Sequence, residues 1–179
     1  MSPDPATGPA GDPGAPAGAL AAEIAAALTA RGESLAVAEA ASGGLVSAAL
    51  VAVAGASSWF AGGAVAYGAA AKSHWLGLAP ASFAPDGVVS PAGAQAMAEA
   101  VRQKLGTTWG LAEVGIAGPQ IGRRSRKGAG LSYVAVSGPR PDLREVRTGL
   151  GDRQANQAAF ALAALLLLRD ALRGAAPRP

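Results

Sequence analysis

The chain has 179 residues, half of them hydrophobic and only 15% charged, with a formal net charge of +3. This length and apolar content suffice for the core of one domain, and the charge excess is too small for a nucleic-acid-binding surface. The absence of cysteine excludes disulfides and thiol catalysis. A single histidine, His74, argues against a histidine-based metal site or a Ser/His triad.

Both ends of the chain have a composition typical of disorder. Residues 1–17 are rich in Pro, Gly and Ala and bury too little surface to offset the entropy of ordering, and residues 175–179 are expected to fray. The folded domain is therefore predicted to span residues 18–174. The sequence has no signal-peptide pattern, and the apolar run 158–168 is too short to span a bilayer, which predicts a cytoplasmic protein with no membrane partner.

Between these ends, helical and strand patterns alternate. A helix is predicted over 19–32, a short buried strand over 34–40, and a helix over 42–55 with Ser42 as its N-cap. The later pattern predicts a strand over 62–68, a short helix over 69–77 and a longer helix over 91–106. It then predicts a strand over 109–119, an antiparallel pair of strands at 130–138 and 142–151, and a long final helix. This order predicts an α/β fold, a three-layer α/β/α sandwich around a mixed, mostly parallel sheet.

Three predicted loops fall at the carboxyl ends of the parallel strands, where such sheets bind ligands: 39–44, 67–72 and 117–128. The candidate site residues in these loops are Glu39, Ser42, Gly43, Gly44, Tyr67, Lys72, Gly118, Gln120 and Lys127. Backbone N–H groups of the glycine pair suit an oxyanion or a phosphate, and a buried Lys72 facing the same pocket as Tyr67 could act as a base. A glycine turn with an ordinary helix cap fits the same residues.

A basic segment interrupts the third loop. GRRSRKG (122–128) places four cations within five residues, 123–127. The segment fits a solvated loop, and it also fits contact with an anionic small molecule or partner.

Six segments occur in the order and spacing of a known family: AEAASGG (38–44), GASSWFAGGAVAYGAAAKSHWLG (55–77), GVVSPAGAQAMAEAV (87–101), GIAGP (115–119), KGAG (127–130) and GDRQAN (151–156). Over residues 19–173 the chain resembles the C-terminal domain of the CinA family, the nicotinamide-nucleotide amidohydrolases. The resemblance implies hydrolysis of nicotinamide mononucleotide to nicotinic acid mononucleotide and ammonia, without metal or cofactor. It also implies homo-oligomers and a Ser/Lys mechanism, in which a serine attacks the amide carbon and a neutral lysine takes its proton.

Carried onto this sequence, the family's lysine matches Lys72 and its tyrosine matches Tyr67. The family's first-loop pattern is Glu-Ser-x-Thr-Gly-Gly, and the position of the nucleophilic serine is occupied here by Ala40. The second glycine-rich turn also departs from the family, because GPQIG (118–122) replaces Gly-Pro-Gly-Gly.

These departures leave three interpretations. The favoured one is a weak or inactive relative that keeps the fold and a nucleotide pocket. A second is an active amidohydrolase that uses Ser42 as its nucleophile and Lys72 as its base. A third is a non-catalytic nucleotide-binding or scaffolding module that uses the basic residues 123–127.

Overall fold

The computed structural model of the chain describes residues 15–120 and 127–175. Residues 1–14, 121–126 and 176–179 lie outside these ranges. The predictions made for the leader, for the basic residues 123–127 and for the C-terminal tail therefore fall mostly on residues that the structure does not describe. The first helix begins at Ala15, earlier than predicted, because Pro16 can be accommodated in the first turn, where its missing N–H costs no hydrogen bond.

The described residues contain an alternation of helices and strands close to the one predicted. In chain order they are α1 (Ala15–Arg31), β1 (Leu35–Glu39), α2 (Leu45–Val51), β2 (Phe60–Val65), α3 (Ala69–Leu76), α4 (Pro91–Leu105), β3 (Trp109–Ile116), β4 (Leu131–Ser137), β5 (Asp142–Arg147) and α5 (Arg153–Gly174), with 3-10 turns at Ala56–Ser58 and Pro80–Phe83. The main error is α2, which was expected to run from residue 42 to residue 55.

The strands form one sheet in the order β2-β1-β3-β4-β5. β1 pairs in parallel with both β2 and β3, whereas β3–β4 and β4–β5 are antiparallel pairs. The α/β fold and the mixed sheet are thus confirmed, with equal numbers of parallel and antiparallel pairings rather than a parallel majority.

Side chains of alternating strand residues build two cores, one on each face of the sheet. Leu35, Val37 and Leu111 point to the face covered by α1, α2 and α5. The small residues between them, including Ala36 and Ala112, point to the face covered by α3 and α4. Alanines dominate the second face, so α4 packs close to the sheet there. These two cores make the three layers expected from the sequence.

Helix α5 is long and apolar enough, by length and composition, to cross a membrane. Half of its most apolar window is buried inside the protein, and its leucines pack in the core against α1 and the sheet. The leucines of α5 are therefore part of the core of this domain.

The parallel strands β1, β2 and β3 end at the same edge of the sheet, which brings the three predicted loops together. The helix after β1 packs on one face and the helices after β2 pack on the other, so the chain diverges at this edge. Such a divergence leaves a crevice at the carboxyl ends of the strands. The candidate site lies there.

Candidate functional site

The buried carboxylate of Glu39 shapes the first loop. Gly44 stands at the start of α2 in the left-handed conformation (φ 102°) and has no side chain to cap the helix. Glu39 caps it instead: Oε2 accepts from the N–H groups of Gly44 and Val46 at 3.0 and 3.1 Å, and Oε1 accepts from the N–H of Ser47 at 2.8 Å. The hydroxyls of Ser42 and Ser47 donate to the same carboxylate at 2.7 and 2.6 Å. Glu39 therefore acts as a helix cap.

Ser42 is not the N-cap of α2, and that prediction is wrong. Gly43 and Gly44 both have positive φ angles, 69° and 102°, so the right-handed helix cannot start before Leu45. Ser42 is 1% exposed, and its hydroxyl donates to Glu39. Its oxygen is held inside the loop rather than presented to a substrate.

Glu113, in the middle of β3, is a buried carboxylate that sequence reasoning missed. It is 1% exposed, and its Oε2 accepts from the N–H of Ser42 at 2.8 Å and from the N–H of Ala40 at 3.3 Å. Its Oε1 accepts from the hydroxyl of Ser132 at 2.7 Å. Burial raises the pKa of Glu113, and the hydrogen bonds from Ser132, Ser42 and Ala40 act against that rise. The signal in the sequence was a lone acid within the apolar segment WGLAEVGIA (109–117).

Lys72 lies on α3 and is buried, with 4% of its surface exposed. Its Nζ donates to the backbone carbonyls of Ala66 and Tyr67 at 2.5 and 2.7 Å. Burial lowers the pKa of Lys72, while the charge of Glu113 opposes that shift. The phenol of Tyr67 points outward with the residue 62% exposed, so only the backbone of Tyr67 meets the lysine.

Arg153 joins the second and third loops. It opens α5, directly after the N-cap Asp152, and its Nη1 donates to the carbonyl of Gly118 at 2.9 Å. Its Nη2 donates to the phenol oxygen of Tyr67 at 3.2 Å. Arg153 belongs to the segment GDRQAN (151–156), and the structure places its guanidinium at the candidate site.

Two further residues in the first turns of α5 contact the first and third loops. The buried Asn156 donates through Nδ2 to the carbonyl of Ala117 at 2.9 Å, and the amide of Gln157 donates to the carbonyl of Ala41 at 2.9 Å. Sequence reasoning did not single out either of them. The signal available in the sequence was that Asn156 and Gln157 are polar residues near the start of a helix that is otherwise rich in alanine and leucine.

The third loop contains the candidate residues Gly118, Gln120 and Lys127. Gly118 has φ 84°, and a Cβ on it would lie 2.6 Å from the Cβ of Ala129, so this turn requires glycine. Gln120 is exposed. The ammonium of Lys127 donates to the carbonyl of Val89, ahead of α4, so it anchors the end of the loop there. Residues 121–126, with most of the basic segment, lie outside the described residues.

Ala40 stands where the resemblance places a nucleophile. It is 5% exposed, its methyl belongs to the same buried cluster as Ala66, and its N–H donates to Glu113. Among the residues that the structure describes, the recorded hydrogen bonds of Lys72 go to backbone carbonyls and none goes to a hydroxyl. Within the same ranges, no three His, Asp or Glu side chains come together in the manner of a metal site.

Comparison with known proteins gives one consistent result. Residues 17–172 match the family model described as the CinA C-terminal domain. CinA-like proteins of Anaeromyxobacter dehalogenans (strain 2CP-C) and Myxococcus xanthus (strain DK1622) are 43% and 42% identical to this chain, each over 83% of it. The matches cover 36% and 35% of those proteins, so the chain spans about a third of the length of these curated relatives.

Solved structures agree with the sequence matches. The competence/damage-inducible protein CihA of Agrobacterium tumefaciens superposes with a TM-score of 0.80 at 30% identity, covering 97% of this chain and 99% of that one. The competence damage-inducible protein A of Klebsiella pneumoniae superposes with a TM-score of 0.82 at 30% identity, covering 88% of this chain and 98% of that one.

Proposed function

The chain belongs to the family of CinA C-terminal domains, and from that premise we propose that it is a relative of the nicotinamide-nucleotide amidohydrolases that has lost Ser/Lys hydrolysis and kept a nucleotide site. The observation that supports this most directly is Ala40. A buried methyl group stands at the nucleophile position, and the nearby hydroxyl of Ser42 donates to Glu39 at 2.7 Å.

The alternative nucleophile, Ser42, lacks the geometry that the chemistry needs. A serine attacks an amide carbon only when a base within hydrogen-bond reach removes its proton. Ser42 donates to Glu39 and not to Lys72, whose amine donates to the carbonyls of Ala66 and Tyr67. Both oxygens of the Glu39 carboxylate already accept from the backbone N–H groups at the start of α2, so this carboxylate is engaged as a helix cap. Using Ser42 would require breaking the bonds that start α2.

A nucleotide remains the ligand class that the site suits best. The exposed guanidinium of Arg153 and the exposed phenol of Tyr67 lie together at the rim, joined at 3.2 Å. A guanidinium suits a phosphate, and a phenol ring suits a flat base or a ribose. We therefore propose nicotinamide mononucleotide or a close analogue as ligand.

Location and assembly belong to the same proposal. The absence of cysteine fits a reducing compartment such as the cytoplasm. Val65, Tyr67 and Trp75 are exposed apolar or aromatic residues, and they support a homo-oligomer, which light scattering of the purified protein would detect.

Ammonia release from nicotinamide mononucleotide tests the loss of hydrolysis. We expect no turnover by the wild type and turnover by Ala40→Ser, since loss of a nucleophile costs on the order of 10⁶-fold in rate in the known serine hydrolase subtilisin. Adding Lys72→Ala to Ala40→Ser should abolish it again. Ala41→Ser is the matched control, because the neighbouring Ala41 is equally buried but packs with Phe160 and Ala117.

Two results would overturn the proposal. Lys72-dependent turnover by the wild type would mean that another nucleophile operates. Absence of nicotinamide mononucleotide binding in calorimetry, together with an inactive Ala40→Ser variant, would mean that the nucleotide site has been lost as well.

A further inference from the structure

The two edges of the sheet differ in charge. In the described residues β2 and β5 are the outer strands, and each pairs with one other strand. β5 carries four charged side chains in six residues, whereas β2, with the sequence FAGGAV, carries none. Charged side chains on an edge strand oppose its pairing with another chain. The β2 edge lacks this protection.

The segment that contains β2 is also free of charge. No residue from 40 to 71 is an acid, a lysine, an arginine or a histidine. Many of these residues are nevertheless exposed, including Ala61 and Gly63 on β2 itself. The exposed surface of a soluble domain normally carries interspersed charges. An exposed surface without them indicates contact with another molecule.

Large apolar side chains are concentrated around the same edge. The described residues expose seven large apolar or aromatic residues, each by 38% to 62%. Six of them lie on α2, on β2 and directly after it, on α3 and at the end of α4: Leu45, Val51, Val65, Tyr67, Trp75 and Leu105. Apolar patches of this extent mark interaction sites. These six residues, with the exposed edge of β2, are called the β2 surface below.

Contacts between the elements join the β2 surface. A Cβ built on Gly62 of β2 would lie 3.7 Å from Cδ1 of Leu105, and one built on Gly44, just before α2, would lie 3.5 Å from Cγ2 of Val65. α3 starts beside the end of β2, and a Cβ built on Gly77, at its other end, would lie 3.7 Å from the side chain that precedes Leu105. The surface therefore includes helices from both faces of the sheet.

The β2 surface is large enough for a stable interface. Large side chains that are about half exposed offer roughly 100 Å² each, so the six offer about 600 Å² per copy. Two copies would bury about 1,200 Å² through these side chains, above the roughly 1,000 Å² that a specific interface needs. A charged partner would leave its own charges desolvated and unpaired on this surface, whereas an identical surface brings none.

We propose that the β2 surface binds a second copy of this chain, through antiparallel pairing of Gly62–Val65 in the two copies around a twofold axis. Such an axis brings the same patch of both copies together and makes their edge strands antiparallel. The pairing of β2 with β1 skips Ala61, so Gly62–Val65 is the regular part of the strand, and its two glycines allow a second backbone to approach.

Pairing of this kind continues the sheet of one copy into the sheet of the other. Each helical layer then meets its counterpart, which accounts for exposed apolar residues on both sides of β2. Tyr67 follows β2 closely, so the second copy borders the rim that Tyr67 and Arg153 form. The inference rests on the homo-oligomer of the proposed function, and it adds the surface, the symmetry and a neighbour for the candidate site.

Sedimentation velocity of lysine variants tests the interface. We expect the wild type to have the mass of two chains. Val65→Lys on β2 and Trp75→Lys on α3 each bring like charges into the interface from both copies, so each should halve that mass. Leu150→Lys is the matched control, because Leu150 is the seventh exposed apolar residue and lies in the turn between β5 and α5. This control should keep the mass of two chains.

Circular dichroism checks that the variants fold. If Val65→Lys does not fold, Trp75→Lys decides the question, because Trp75 is half exposed. Amide hydrogen exchange then tests the strand pairing itself. Amides of Gly62–Val65 should exchange about tenfold faster in monomeric Trp75→Lys than in the wild type. Equal exchange rates in a wild-type dimer and in this monomer would overturn the pairing.

Two further results would overturn the inference, and they differ in what they mean for the proposed function. A mass of two chains that persists in both Val65→Lys and Trp75→Lys would show association through another surface, and the homo-oligomer would stand. A wild type with the mass of one chain would contradict the homo-oligomer as well and would leave the β2 surface to a different protein. Neither result bears on the loss of hydrolysis, which ammonia release measures.

Discussion

Two buried carboxylates next to the first loop, Glu39 at the end of β1 and Glu113 within β3, hold this loop in different ways. The hydrogen-bond partners of Glu39 all lie between Ser42 and Ser47, immediately after it in the chain. Glu113 instead accepts from the N–H groups of Ala40 and Ser42, which are 73 and 71 residues away in the chain, and from the hydroxyl of Ser132 on the next strand. The first carboxylate is a local helix cap, and the second joins the first loop to β3 and β4. They should respond differently to substitution.

The largest effect is expected at Glu39. In Glu39→Gln, the new NH₂ group faces backbone N–H donors at the start of α2, which leaves buried donors unpaired. We expect a loss of about 3 kcal/mol in the free energy of unfolding, measured by urea denaturation. The control Glu23→Gln removes an exposed ion pair and should change stability by less than about 1 kcal/mol. Equal losses in the two variants would contradict the capping role.

Glu113→Gln should have a smaller effect, and that effect should depend on pH. The glutamine oxygen can accept from Ala40 and Ser42, while its NH₂ donates to the oxygen of Ser132, whose own hydroxyl can still donate to the carbonyl of Val114 at 3.1 Å. No backbone donor of the first loop then loses its acceptor.

The sign of the pH dependence follows from the raised pKa of Glu113, which results mainly from burial. The folded state binds this proton more tightly than the unfolded state, so the contribution is fully present below the ordinary value of 4.5 and is lost as pH rises through the raised pKa. Glu113→Gln lacks this loss, so its stability relative to wild type should increase with pH. Urea midpoints from about pH 5 to about pH 8 measure it, and a decreasing difference would contradict the assignment.

The smallest effect is expected at Arg153. Its hydrogen bonds to Gly118 and Tyr67 lie at the exposed rim, so Arg153→Gln should change the free energy of unfolding by less than about 1 kcal/mol. Arg173→Gln, which removes the exposed contact with Glu23, is the matched control. A loss comparable with that of Glu39→Gln would place Arg153 in the structural framework rather than at a binding rim.

Most of the architecture was accessible from the sequence because it depends on local patterns. Alternating apolar segments, and glycines that end helices, predicted the helices, the strands and the three loops at the carboxyl ends of the parallel strands. Lys72 was also among the candidate site residues, and the structure buries it. The position of Ser42 before a helical pattern was misleading, because the left-handed glycines at 43 and 44 shift the helix start to Leu45.

The partners of the buried charges were not accessible, because they come from distant parts of the chain. Nothing in the spacing around Glu113 indicates that its carboxylate reaches Ala40 and Ser42. The outward turn of the Tyr67 phenol and the contact of Lys127 with Val89 are likewise decided by tertiary packing. The lone acid within an apolar strand was a signal that something must pair with it, without indicating what.

The close approach at Gly118 has a consequence for how this protein can change over evolutionary time. Ala129 packs against that glycine, and the N–H of Gly130 donates to the carbonyl of Ile116 at 2.8 Å, so the two ends of the third loop are fastened at the sheet. Entropy of loop closure grows only slowly with length once the ends are fixed. Insertions, deletions and substitutions between these fixed ends, Lys127 excepted, should therefore leave β3 and β4 undisturbed, so we expect relatives to differ in length and charge in this segment.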